Sequence, residues 1–169
     1  VAAPDLSTAL QSLIDCVCAA LSDADRGVCA CGMTVGPPAI GPGQCCDCDC
    51  GDGCDTGGQV SGNLERVYPA DGPLLQPDTR LENCRPSVTA ADFTIVVTRC
   101  SPTADEHGNM PDLETTSEFS DNLHTDLGLV WNALKCCGSP IVFRESAVDS
   151  DPDGGCSAFA VRVTVAVTL

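Results

Sequence analysis

The sequence predicts an α+β domain: one mostly antiparallel sheet with two helices packed on one face, joined by long loops. Three observations predict it. From Ala158 to Leu169, Phe159, Val161, Val163, Val165, Val167 and Leu169 take every second position, with Ala160, Arg162, Thr164, Ala166 and Thr168 between them. Successive side chains of a strand point to opposite faces, so this is a strand with an apolar face. The same alternation recurs at Thr89 to Cys100, where Phe93, Ile95 and Val97 alternate with Thr94, Val96 and Thr98. Two separated stretches instead carry apolar residues at helical spacing, and a helix stripe and a sheet face bury each other.

In chain order, Asp5 or Ser7 can cap a first helix running to about Leu21. Leu6, Leu10, Leu13, Ile14, Val17 and Leu21 share one of its faces, and Asp23, Asp25 and Gly27 stop it. Cys16 and Cys18 lie on this helix about 200° apart, so they cannot both face the core. Val28 to Val35 reads as a short strand, with Cys29, Cys31 and Met33 on one side. A loop with Pro37, Pro38 and Pro42 follows and leads into a Cys/Gly/Asp-rich run, so residues 36–58 form one long loop. Gln59 to Tyr68 is a strand with imperfect apolar markers at Val60, Leu64 and Val67. Residues 69–86 and 101–113 are loops. Thr115 and Glu118 fit a capping box for the second helix, which runs to about Cys136 with Phe119, Leu123, Leu127, Val130 and Leu134 as its stripe. Ile141 to Val148 is a strand, 149–155 a turn, and the terminal strand closes a hairpin. No internal repeat is visible, and residues 1–169 read as a single domain.

Charge narrows the possible partners. There are 24 Asp+Glu against 8 Lys+Arg, a formal net charge of −16, and Lys135 is the sole lysine. An acidic body repels phosphate, which disfavours a nucleic-acid-gripping role and suits a surface past which DNA slides. No apolar run reaches the roughly 18 residues of a membrane span. The first residues lack the basic region and apolar core of a signal peptide, so export by that route is not expected. The 14 cysteines point to disulfides or metal. A domain of this size can build a core without them, so they read as reinforcement.

Several constellations resemble chemical sites, and each has a plainer reading. Cys45, Cys46, Cys48, Cys50 and Cys54 contain one zinc-knuckle spacing, Cys45-x-x-Cys48, but a thiolate zinc site needs a second. Cys16-x-Cys18 and Cys29-x-Cys31 have the wrong gap. Asp149, Asp151, Asp153 and Gly154 imitate the opening of a calcium loop, yet Ala160 stands where the closing glutamate belongs. His107 lies in a Gly/Pro-rich loop. His124 lies two residues before Asp126 on a helix, a spacing that shares no face. Trp131 sits beside the second helix stripe and reads as core or subunit interface. The expectation is therefore no enzyme, no catalytic residues, no cofactor and no resident metal.

Other stretches together resemble the tail terminator proteins of long-tailed phages, in particular those infecting actinobacteria. They are the amphipathic first helix followed by a Cys-bearing strand; Gly58-Gln59 leading into Glu65-Arg66-Val67-Tyr68-Pro69; Arg99-Cys100 with Pro102, Gly108-Asn109 and Pro111; Asp126, Val130, Ala133-Leu134 and Cys136; and Gly155-Cys156 opening the last strand. The chain departs from that pattern after Gln59, where Val60-Ser61-Gly62-Asn63 replaces a tryptophan-containing strand. The resemblance implies a virion protein of the head–tail neck, assembled in the host cytoplasm. It implies a homo-hexameric ring that caps the tail tube, stops its polymerisation and receives the head-side connector or stopper protein. DNA would pass through the lumen without specific binding, and no membrane would be involved. Rival expectations are another head-to-tail connector protein, a small cysteine-rich metal-binding module, and a disulfide-reinforced secreted binding domain.

Overall fold

Asp5 starts the first helix, α1 (Leu6–Asp23), by accepting the Thr8 amide at 3.0 Å and the Thr8 hydroxyl at 2.6 Å. Those bonds, the hydroxyl first, hold its carboxyl below the ordinary range. The computed structural model describes residues 3–36, 57–78, 88–102, 104, 107–137, 141–153 and 156–169, with the side chains of 147–153 outside the description. Ala9, Leu10, Leu13, Ile14, Val17 and Leu21 are the buried face of α1. Cys16 and Cys18 flank that stripe, as their angular separation requires, and leave it in different directions. Cys16 bridges to Cys137 and Cys18 to Cys31. Cys29 and Cys156 are also disulfide-bonded.

The strands are β1 (Ala30–Met33), β2 (Gln59–Asp71), β3 (Gln76–Pro77), β4 (Val88–Cys100), β5 (Ile141–Asp153) and β6 (Cys156–Val167), with α2 (Leu113–Cys136) between β4 and β5. The sheet order is β1-β2-β4-β6-β5, with β3 pairing the end of β2. Every pair is antiparallel except β1–β2, which is parallel, so the sheet is mixed. Placing β4 and β6 at the centre explains their apolar alternation: Phe93, Ile95, Val97, Phe159, Val161, Val163 and Val165 are at most 1 % exposed. Burying each such side chain stabilises by about 1.5–3 kcal/mol. They form one core with both helices, so α1 and α2 cover the same face. α1 runs from the Val167 end of β6, where Asp5 bridges Thr168, toward the Arg99 end of β4; α2 returns antiparallel to it.

Two glycines are fixed by close approach. A Cβ on Gly62 would lie 2.8 Å from Ile14 Cδ1 and 2.9 Å from Leu10 Cδ1, so α1 sits directly on β2 there. At Gly58, with φ +104°, a Cβ would meet the Thr98 carbonyl oxygen at 2.1 Å.

Local differences from the sequence expectation have physical causes. Helix α2 begins two residues before Thr115, because Asp112 is the N-cap and accepts the Thr115 amide at 2.8 Å. Thr115 therefore supplies a donor where a capping box would have made it the acceptor. β2 continues through Pro69 to Asp71, since Pro69 lies two residues from the strand end and β3 folds back beside it. β5 runs on to Asp153 against β6, so the expected turn over 149–155 is largely ladder. β6 ends at Val167, and Leu169 is 90 % exposed despite continuing the alternation.

The imperfect markers of β2 come from a bulge. Leu64 pairs with Phe93 and Arg66 with Asp92, leaving Glu65 as an extra residue. β5 does the same on the other side: Phe143 pairs with Val163 and Glu145 with Arg162, leaving Arg144 extra. Leu64, Phe93, Val163 and Phe143 form one row across four strands, and both flanking strands bulge immediately beyond it.

Candidate functional site

The two bulges decide where the charges of the sheet go. Each sets adjacent charged residues, Glu65 with Arg66 and Arg144 with Glu145, toward the face opposite the helices. There they meet Asp92 and Thr94 of β4 and Arg162 and Thr164 of β6. Asp92 is 1 % exposed. Arg66 Nε lies 2.5 Å from its Oδ2, and the Tyr68 hydroxyl is 3.0 Å from its Oδ1, which also accepts from the Thr164 hydroxyl. Burial pushes the Asp92 carboxyl up, but donation from Thr164, Arg66 and Tyr68 and the Arg66 charge outweigh it and hold the group below the ordinary range. Arg66 is raised in turn, chiefly by its bond to Asp92.

Arg144 extends this network to the turn after β2. Its Nε donates to Thr164 Oγ1 at 2.7 Å, and its Nη2 lies 3.0 Å from both the Leu74 and Leu75 carbonyls. The Tyr68 hydroxyl also reaches the Leu75 carbonyl, at 3.1 Å. Beside it, Arg162 joins both outer strands: its Nε is 2.8 Å from Glu65 Oε2, its Nη2 3.0 Å from Glu65 Oε1, and its Nη1 pairs with Glu145. Glu65 also accepts from the Thr94 hydroxyl. Three guanidiniums and three carboxylates thus bind four strands together.

A second cluster sits where α1 ends, β4 ends and α2 enters the core. Asp126 is fully buried. Its Oδ2 accepts from Arg99 Nε at 2.8 Å, and its Oδ1 from Arg26 Nε. Arg99, 3 % exposed, also donates to the carbonyls of Gly27 (3.0 Å), Gly57 (2.7 Å) and Arg26 (2.7 Å). Arg26 reaches the Asn122 side chain at 3.0 Å and its carbonyl at 3.1 Å. One carboxylate therefore organises the α1–β1 connection, the entry to β2, the end of β4 and helix α2. A pocket of about 170 Å³ opens beside it, lined by Arg26, Arg99, Cys100, Phe119, Asn122 and Leu123.

Both clusters cross-brace the fold. Two hydroxyls here bond both a carboxylate and a guanidinium: Thr164, which is fully buried, and Tyr68, which is half-buried. Among the described residues, those singled out from sequence are not brought together. Cys45, Cys46, Cys48, Cys50 and Cys54 lie outside the described residues, as does Gly154. Asp149 pairs with Ala158 and Asp153 with Cys156 on the hairpin ladder. His107 lies in the loop before α2. His124 is on the exposed side of α2 while Asp126 points inward, as their two-residue spacing requires. Trp131 stacks on Phe143 with ring centroids 4.2 Å apart, and the Lys135 Nζ lies over the Trp131 ring, 5.5 Å from its centroid. Trp131 thus packs α2 against β5. Among the described residues no three metal-capable side chains cluster, and no helix is long and apolar enough to cross a membrane.

Sequence reading passed over Asp92 and the Arg26–Asp126–Arg99 clamp. A signal existed for Asp126: it falls within the apolar stripe of α2, three residues after Leu123 and four before Val130. Nothing in the spacing names its two arginine partners. No protein-family model matches the chain, and no curated protein matches it.

Proposed function

We propose that this chain is a structural subunit of a phage virion: a tail terminator that forms a hexameric ring on the finished tail tube, halts tube polymerisation and presents a surface to the head-side connector. The observation that supports the reading best is how the charges are used. Asp92, Arg99 and Asp126 are buried and spent on bracing strands and helices, which suits a part whose role is shape. The helix-backed sheet is the architecture the resemblance implies. A net charge of −16 suits a lumen through which DNA passes without adhering. A ring built from one chain closes through head-to-tail contacts.

The test is assembly. Added to growing tail tubes, the protein should stop elongation and appear as a six-fold ring at one tube end in negative-stain images. Native mass spectra giving only monomer, with tubes elongating unchecked in its presence, would remove the reading.

A further inference from the structure

The bridge that ties the two helices together ends beside a spare thiol. Cys16 of α1 is joined to Cys137, the residue that caps α2. Cys136, the last residue of α2, is exposed and outside any disulfide. Cys18, Cys29, Cys31 and Cys156 are all disulfide-bonded.

The place of Cys16 decides what Cys136 can do. Its Sγ lies 3.7 Å from the Ala133 carbonyl oxygen. On a helix surface the neighbours of a residue are those three and four places on, which for Ala133 are Cys136 and Cys137. Helix carbonyls point toward the C-terminus, while Cα–Cβ bonds tilt toward the N-terminus. Both cysteines therefore lean back over the turn on which Cys16 Sγ rests. Cys137 holds that sulfur, and Cys136 stands one residue away on the same turn. Cys16 and Cys137 are only half-buried, so the bridge is not sealed under the core.

We propose that this bridge passes between the two adjacent cysteines. The Cys136 thiolate attacks Cys16 Sγ, a Cys136–Cys16 bond forms as the Cys16–Cys137 bond breaks, and Cys137 leaves as the thiolate. One disulfide and one thiol stand on each side, and the proton lost by Cys136 reaches Cys137 through solvent. No oxidant or reductant is consumed. The two closed loops differ by one residue, so chain entropy hardly distinguishes them. The packing of the last α2 turn does. Moving the bridge to Cys136 lengthens the path from bridge to Ile141, the start of β5, by one residue, roughly 3.3–3.6 Å of reach. Trp131 is placed to sense the change: it stacks on Phe143 of β5 and lies under Lys135 Nζ. Turning the last helical turn to bring Cys136 inward moves Lys135 relative to that ring. The bridge is thus a two-position latch on the junction of α2 with β5.

The experiment uses the full chain with native disulfides and dilute iodoacetamide as the probe. Acid-quenched, non-reduced peptides are mapped with fragment spectra that separate Cys136 from Cys137. Label should build up on both Cys136 and Cys137 while Cys16, bonded throughout, stays unlabelled. In Cys136→Ser the label on Cys137 should be lost. Cys137→Ser should close Cys16–Cys136 and shift the emission of Trp131, the only tryptophan, whereas Cys136→Ser should keep the wild-type emission. Label confined to Cys136 at every reagent concentration overturns the exchange, and this readout needs no variant to fold. Equal label on Cys16 and Cys137, the mark of plain reduction, also overturns it. So does labelling of Cys137 that scales with protein concentration, the mark of exchange between copies. A folded Cys137→Ser that carries Cys16 and Cys136 as two thiols places Cys136 out of reach and overturns it as well. None of these readouts depends on assembly.

Discussion

Asp126→Asn should be among the most damaging single substitutions in this chain. The change keeps side-chain size and removes one charge. In the wild type Asp126 is fully buried and sits between Arg99, whose side chain is 4 % exposed, and Arg26, at 18 %. Neutralising it leaves two guanidiniums facing each other, one with almost no access to water. Breaking a buried ion pair by removing one partner costs about 3–5 kcal/mol. At about 2–4 °C per kcal/mol for a domain of this length, the melting temperature should fall by roughly 6–20 °C. Arg26→Ala is the comparison. It removes the more exposed cation and leaves Asp126 paired with Arg99, so it should cost clearly less. Replacing all three charges by apolar residues would still destabilise, because the Gly27, Gly57 and Arg26 carbonyls lose their donor. The assay is urea and thermal unfolding by circular dichroism with disulfides intact. An Asp126→Asn loss below about 1 kcal/mol, or one no larger than that of Arg26→Ala, would refute the view that this carboxylate organises the junction.

Three further outcomes are expected. Loss of Cys16–Cys137, spanning 121 residues, should cost more than loss of Cys18–Cys31, spanning 13; chain entropy sets ceilings of about 5 and about 3 kcal/mol. Paired Cys→Ala variants compared by urea midpoint check the order. Gly58→Ala should destabilise by about 2 kcal/mol or more, because its Cβ would collide with backbone at a positive φ; unfolding free energy measures it. Asp92 has a folded pKa below its unfolded value of about 3.9, so its contribution is complete above that pH and fades as pH falls through the folded value. The stability gap between wild type and Asp92→Asn should therefore be widest near neutral pH and close below about pH 4. A gap independent of pH would mean that the carboxylate charge is not what the three donors stabilise.

Periodicity made the central elements readable. The stripe of α1 and the alternation of β4 and β6 are dictated by burial against a common core, and local pattern reports that directly. It failed where a single extra residue intervened. Glu65 shifts β2 by one position, so Val67, at odd spacing from Leu64, pairs with Ala91 and lies on the helix face, where it is still 36 % exposed. Leu169 failed for another reason: alternation continues past the point where β6 has a partner. The start of α2 was misplaced because Asp112-x-x-Thr115 and Thr115-x-x-Glu118 are both plausible caps, and only the path of the preceding loop chooses between them. Of the two polar clusters, Asp126 carried a trace in the helix stripe. Asp92 looked like an ordinary polar position of an alternating strand. Its value comes from Arg66, Tyr68 and Thr164, which lie on other strands, and pairing register is not a local property of sequence.

The paired bulges have a geometric consequence for the surface as a whole. Beyond the row of Leu64, Phe93, Val163 and Phe143, each outer strand holds one more residue than the central strand it borders. A ribbon whose two margins are longer than its midline cannot lie flat; it must buckle into a saddle. Excising Glu65 would leave the pairs Leu64–Phe93 and Arg66–Asp92 in step while shortening one margin alone. The curvature would then become lopsided with the strand pairing unchanged, though Arg162 and Thr94 would lose their Glu65 acceptor, so this one residue sets the contour of the piece independently of its register.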